Sequence, residues 1–284
     1  MGRFAGNAGG PGRRSVGIVG NAAALALIVA GSVFLTTMPV RADFDAGWKA
    51  YQGANFAVAL KEWTAAADAG DVRAQFNLGI LYDEGKGVSR DQSQALAWWL
   101  KAANQGYAPA EHNIATSLIV GDGAAQDYKK SVEWLRRAAD RNFHPSQYTL
   151  GKMYYYGLAV PKDPALSAEW FIKAGESGSV RAQYNLGKMY RDGDGLRKDL
   201  VESTKWYLRA AEQGYAKAQD SLGVRYFRGE GVPVDLVQAL MWTTLAARQG
   251  LDRAGENRKA LVERMTAADV KKAEDLAKAW QPKS

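Results

Sequence analysis

The chain has no cysteine and only two histidines among its 284 residues. Without thiols there is no disulfide, no Cys-ligated zinc and no thiol nucleophile, so packing alone must hold the fold. His112 and His144 occupy different columns of the repeat described below, and neither has a partner at metal-ligand spacing. No Gly-x-Ser-x-Gly and no His-Glu-x-x-His occurs, and no Lys-Ser/Thr follows a glycine run as a phosphate loop requires. The expectation is a protein that is not an enzyme, with no catalytic residue, no metal and no cofactor.

Acid is also missing from the first 42 residues, which hold Arg3, Arg13, Arg14 and Arg41. The other 33 basic residues face all 30 acidic ones, so much of the net charge of +7 belongs to the leader. A nearly balanced remainder gives no footprint for nucleic acid, and none is expected as a partner. The leader has the layout of an export signal: a basic start, the apolar run over residues 16–40, then "VRA", which suits cleavage after Ala42. The run is long enough to span a bilayer, so an uncleaved inner-membrane anchor is the alternative. Its glycines, Asn21 and Pro39 make it a poor one. Arg13-Arg14 leaves Sec and twin-arginine export both open. The expected location is the periplasm, or secretion, with membrane contact only through an uncleaved leader.

What the chain has is a period. Trp98, Trp134, Trp170, Trp206 and Trp242 are 36 apart; so are Asp91, Asp127, Asp163, Asp199 and Asp235, and Gly85, Gly121, Gly157, Gly193 and Gly229. Five units follow one another from residue 74 to 253 without an insertion. In the first, "AQFNLGILYDEG" carries Phe76, Leu78, Leu81 and Tyr82 on a helical stripe. Gly79 recurs as Gly151, Gly187 and Gly223, which points to a neighbouring helix pressing close. "GKGVSR" is a turn, Asp91 an N-cap, and "QSQALAWWLKAANQG" a second helix that Gly106 ends. The Trp column is expected to fill the space within each helix pair. "RDGDG", residues 191–195, looks like a calcium loop or phosphate cradle. Its glycines and Asp199 are repeat columns, and the EF-hand glycine and Glu are missing, so it reads as scaffolding.

The pattern A-Q-Y-N-L-G-x-M-Y-x-x-G-x-G, then D, W and A-A-E-Q-G, resembles the Sel1-like repeat, a relative of the tetratricopeptide repeat. The resemblance implies an all-α fold, a right-handed α-α superhelical solenoid of helix-turn-helix repeats. Departures are local: Ala115, Leu118 and Ala124 in the second unit, Leu158-Ala159 and Gly175 in the third. The organisation expected is a signal peptide over 1–42, a tetratricopeptide-like hairpin over 43–73, repeats over 74–253 and capping helices over 254–284. Solenoids need such polar ends to stay soluble.

The resemblance also implies a concave surface lined by first helices. Transferring the tetratricopeptide register puts Asn77, Asn113 and Asn185 there, with Tyr148, Lys152, Tyr155, Tyr184, Lys188 and Arg191 in the third and fourth units. Side-chain amides offer donor and acceptor to a peptide backbone, although Asn and Tyr are also signature residues that pack between helices. No acid in those columns of the third and fourth units opposes Lys152 and Lys188. The expected function is a non-catalytic exported scaffold or adaptor that binds a protein or peptide, an acidic extended segment above all, and assists an envelope process. The alternative is a carbohydrate-binding module for peptidoglycan or exopolysaccharide, a cell-wall glycan being its partner.

Overall fold

The structure, a computed structural model, describes residues 43–283. The export signal expected over 1–42 lies outside the described residues. Among those residues there are fourteen α-helices and no strand, arranged as consecutive helix-turn-helix repeats. None of these helices is long and apolar enough to cross a membrane. The described residues divide into two compact units, 43–105 and 106–283.

The first unit contains α1 (Phe44–Gln52), α2 (Phe56–Asp68), α3 (Val72–Glu84) and α4 (Gln92–Asn104). The second contains α5 (Ala108–Val120), α6 (Tyr128–Asp140), α7 (His144–Tyr156), α8 (Pro164–Glu176), α9 (Val180–Asp192), α10 (Leu200–Glu212), α11 (Ala216–Arg228) and α12 (Leu236–Arg248). It ends with α13 (Asp252–Val262) and α14 (Ala267–Ala279). Each second helix of a repeat starts at the aspartate column. Asp91, Asp127, Asp163, Asp199 and Asp235 accept from backbone N–H groups of the first turn that would otherwise lack partners. Each first helix from α3 to α11 stops at a left-handed glycine, Gly193 with φ 76° for one.

Within a pair, the residue after the tryptophan occupies the interior. Trp99, Leu135, Phe171, Tyr207 and Thr243 are all at most 2% exposed. A Cβ added to Gly187 would sit 2.6 Å from the Tyr207 ring, and one added to Gly151 2.6 Å from Phe171. The helical glycines are therefore seats for large side chains, and Ala115 faces the smaller Leu135. The short N-terminal hairpin uses the same device, with Trp63 against Gly47 and the Trp63 indole donating to the Phe44 carbonyl at 3.1 Å.

The tryptophan column itself does not fill the pair, and this corrects the expectation. Trp98, Trp134 and Trp170 are only half-buried. One residue is about 100° of helix rotation, which turns this column toward the second helix of the preceding repeat. The Trp206 ring lies 3.1 Å from where a Gly175 Cβ would be, and Trp170 packs on a cluster that includes Ala139. Four of the five rings carry a cation three residues on: Lys101, Arg137, Lys173 and Arg209 lie 3.6, 4.1, 4.3 and 4.5 Å from the ring centres.

Candidate functional site

In the second unit, α7 and α9 form the walls of a cleft of about 240 Å³. Because the two helices hold equivalent positions in successive repeats, equal columns come side by side. Tyr148, Lys152 and Tyr155 of α7 line it together with Tyr184, Asn185 and Lys188 of α9. These are six of the nine residues the column register selects. Arg191 turns away, pairing with Asp192 through two contacts of 2.6 Å, and lines a neighbouring cleft. Asn77 belongs to the first unit, where it is buried and donates to the Arg73 carbonyl of its own helix at 2.8 Å. Asn113 is buried in α5 and does not line the cleft.

The cleft also contains what the columns leave out. Arg181 and Lys217 add two cations from the starts of α9 and α11, and Tyr156 and Tyr215 add two rings. Asp192 and Asp194 line it as well, so the cations are not free of opposing charge. Both carboxylates, however, are already held. Arg191 keeps Asp192 below the ordinary carboxylate range, and Tyr155 is hydrogen-bonded to Asp194. That bond, with burial second, pushes the Tyr155 phenol up to about 12. Tyr148 is raised by burial, against the pull of the Arg181 charge and a hydrogen bond with Asn185. Lys152, Arg181, Lys188 and Lys217 form no ion pair among the described residues. The 191–195 stretch is thus scaffold and wall at once: Asp199 caps α10, Gly195 packs on the Pro164 carbonyl, and Asp194 faces the cleft.

Tyrosines set the shape. Tyr148 leans on Phe171 at 5.7 Å, and Tyr184 is fixed between Tyr207 at 5.7 Å and Tyr215 at 5.3 Å. These tyrosines pack on interior rings and line the cleft as well. The chemistry offered is flat apolar area, phenol and amide hydrogen bonds, and unpaired positive charge.

The Sel1 repeat family matches residues 72–107, 108–143, 144–179, 180–215 and 216–251. Among solved structures, the chain is similar to a Sel1 repeat protein from Oxalobacter formigenes. The two are 30% identical with a TM-score of 0.67, over 72% of this chain and 85% of that one. It is also similar to a protective antigen of uropathogenic Escherichia coli strains displaying an SLR fold. There the identity is 27% and the TM-score 0.53, over 84% of this chain and 60% of that one. An immunity protein from Pseudomonas aeruginosa is 19% identical with a TM-score of 0.48, over 73% of this chain and 82% of that one. No curated protein matches the sequence.

Proposed function

Because the chain belongs to the Sel1 repeat family, whose scaffold typically mediates protein–protein interaction, we propose that it is a non-catalytic adaptor. It takes an acidic, extended segment of a partner protein across the third and fourth repeats. One observation carries this reading: four cations without ion-pair partners meet in a tyrosine-walled cleft whose two carboxylates are already engaged. Lys152 and Lys188 hold one column of α7 and α9 and line the same cleft, and an extended chain advances about 3.3 Å per residue. Carboxylates spaced along such a chain would meet Lys152 and then Lys188, while the phenols and Asn185 take the backbone between them. The export layout of residues 1–42 supports an envelope setting for this work in a bacterial cell. An anionic glycan is the second reading, favoured by the five tyrosines of the cleft.

The test begins with protein recovered from the envelope, whose intact mass should correspond to a chain starting at Asp43. Lys152→Glu combined with Lys188→Glu should leave helicity unchanged, weaken binding of an acidic peptide at least tenfold and abolish crosslinked capture of the partner. Capture that survives the double reversal would remove the cleft from the binding surface. Retention on polysaccharide, with no binding to the acidic peptide, would select the glycan.

A further inference from the structure

Next to that cleft, and still in the second unit, lies another of about 560 Å³. Its character is different, for four guanidinium groups line it beside one tyrosine, Tyr184. Arg225 of α11 contributes from within, only 5% exposed, with Arg191, Lys198, Arg228 and Arg253 around it. Arg225 pairs through Nη1 with Glu230, while its Nε is buried and has no hydrogen-bond partner. A buried guanidinium with an unsatisfied N–H is costly, and a contact 5.9 Å above the Tyr207 ring leaves that N–H unmet. The equivalent positions of the other repeats hold Leu81, Ser117, Met153 and Met189.

The other arginines are oriented by carboxylates. Asp192 holds Arg191, the fully buried Asp220 holds Arg253 with a 2.8 Å contact to Nε, and Glu230 is shared between Arg225 and Arg228. A guanidinium has five N–H groups, so each of these pairs fixes the side chain and leaves donors over. Lys198 forms no ion pair among the described residues. Five cations against the three carboxylates leave an excess of two positive charges.

We propose that this cleft is a binding site for a phosphate monoester. A monoester carries a charge near −2 at neutral pH and three strong acceptor oxygens, which matches the excess charge and gives the four guanidinium groups acceptors to share. Planar forks hold phosphate oxygens in pairs. A single carboxylate would leave one charge and most of the donors unmet. The site does not rest on the peptide reading of the neighbouring cleft. The ester can be a small molecule or a phosphorylated side chain, and the two are separable by experiment.

The full chain is titrated with inorganic phosphate by calorimetry at constant ionic strength, with acetate as the control anion. The result expected at pH 7.5 is saturable one-to-one binding that acetate does not reproduce. It should weaken at least tenfold at pH 5.5, where the monoanion predominates. Lys198→Ala with Arg228→Ala alters two exposed side chains and should weaken phosphate binding at least tenfold with an unchanged circular dichroism spectrum. The Lys152→Glu, Lys188→Glu protein should bind phosphate as the parent does, so failure of the first cleft and of this one are distinguishable. A phosphoserine peptide that competes with phosphate and binds at least tenfold more tightly than it places the ester on a protein. Phosphopeptide binding no tighter than phosphate assigns the site to small esters. Absence of saturable binding, an equal response to acetate, or wild-type affinity in the Lys198, Arg228 variant would overturn the proposal.

Discussion

At the scale of single residues, adjacent aromatic side chains on one helix have opposite duties. Phe171 is 2% exposed, seated on Gly151, and backs Tyr148 of the cleft. Trp170, its neighbour, is half-buried beneath Lys173. Removing a buried Phe typically costs about 3–5 kcal/mol, since the two helices cannot close over the space. Removing Trp170 forfeits a cation–π contact of about 0.5–1 kcal/mol and partial packing on the preceding repeat, in the ordinary range of about 0.5–3 kcal/mol for point changes. Urea denaturation should therefore rank Phe171→Ala well below Trp170→Ala in stability. Equal losses would mean that the space within the pair is not where the helices are keyed. The tryptophans repeat five times and so dominate the pattern in the sequence. Their neighbours vary as Trp, Leu, Phe, Tyr and Thr, and no identity search finds a column conserved only in being interior.

At the scale of elements, what one residue decides alone was legible. Aspartate caps and left-handed glycines act on their own backbone, so their spacing alone gave the starts of the second helices and the stops of the first. Contacts between columns were not legible. Gln183 donates to the Gly175 carbonyl of the preceding helix and accepts from Gln213 at 2.8 Å. Gln75 with Gln105, and Gln219 with Gln249, form the same latch. In the second repeat a charged version replaces it, Glu111 with Arg137 at 3.0 Å and Arg141 at 3.5 Å. In the third, Ser177 stands in the donor column, and Gln147 Oε1 is buried without a hydrogen-bond partner. Ser177 is exposed and has the backbone of Gln105 and Gln213, φ −79° and ψ 11°. Ser177→Gln should therefore complete the latch without strain. A hydrogen bond satisfying a buried acceptor contributes about 0.5–1.5 kcal/mol, and each kcal/mol raises Tm by roughly 2–4 °C in a domain of this size. An unchanged melting temperature would show that the latch sets register and adds no stability.

At the scale of the whole molecule, the repeat made the lining of the cleft predictable only where it comes from first-helix columns. Lys152 and Lys188 were legible for that reason. Asp194 in a turn, Tyr215 between repeats and Lys217 at a helix start reach the cleft from outside that stripe, and a register of first helices cannot include them. The same repetition leaves an array with an apolar end to cover. The last repeat presents Trp242 and Leu245, 5% and 6% exposed, to a cluster that includes Ala273 and Ala277 of α14. Trp280 meets Trp242 edge to face at 6.2 Å, Arg248 donates to the Ala277 carbonyl at 2.8 Å, and the Lys283 backbone donates to the Glu212 carbonyl at 2.7 Å. The outer face of α14 carries Lys271, Lys272 and Asp275, so it closes the core and returns a charged surface to water. Deleting residues 266–284 removes this cover while leaving both clefts their lining residues. The shortened chain should keep its helical spectrum at low temperature, melt at least 5 °C lower, bind an apolar dye and self-associate as concentration rises. Because the array couples neighbours, the loss should be greatest in the fifth repeat, seen as faster amide exchange in α12 than in α8. A shortened chain that melts with the parent and stays monomeric would mean that α14 is an appendage and that the fifth repeat closes the core by itself.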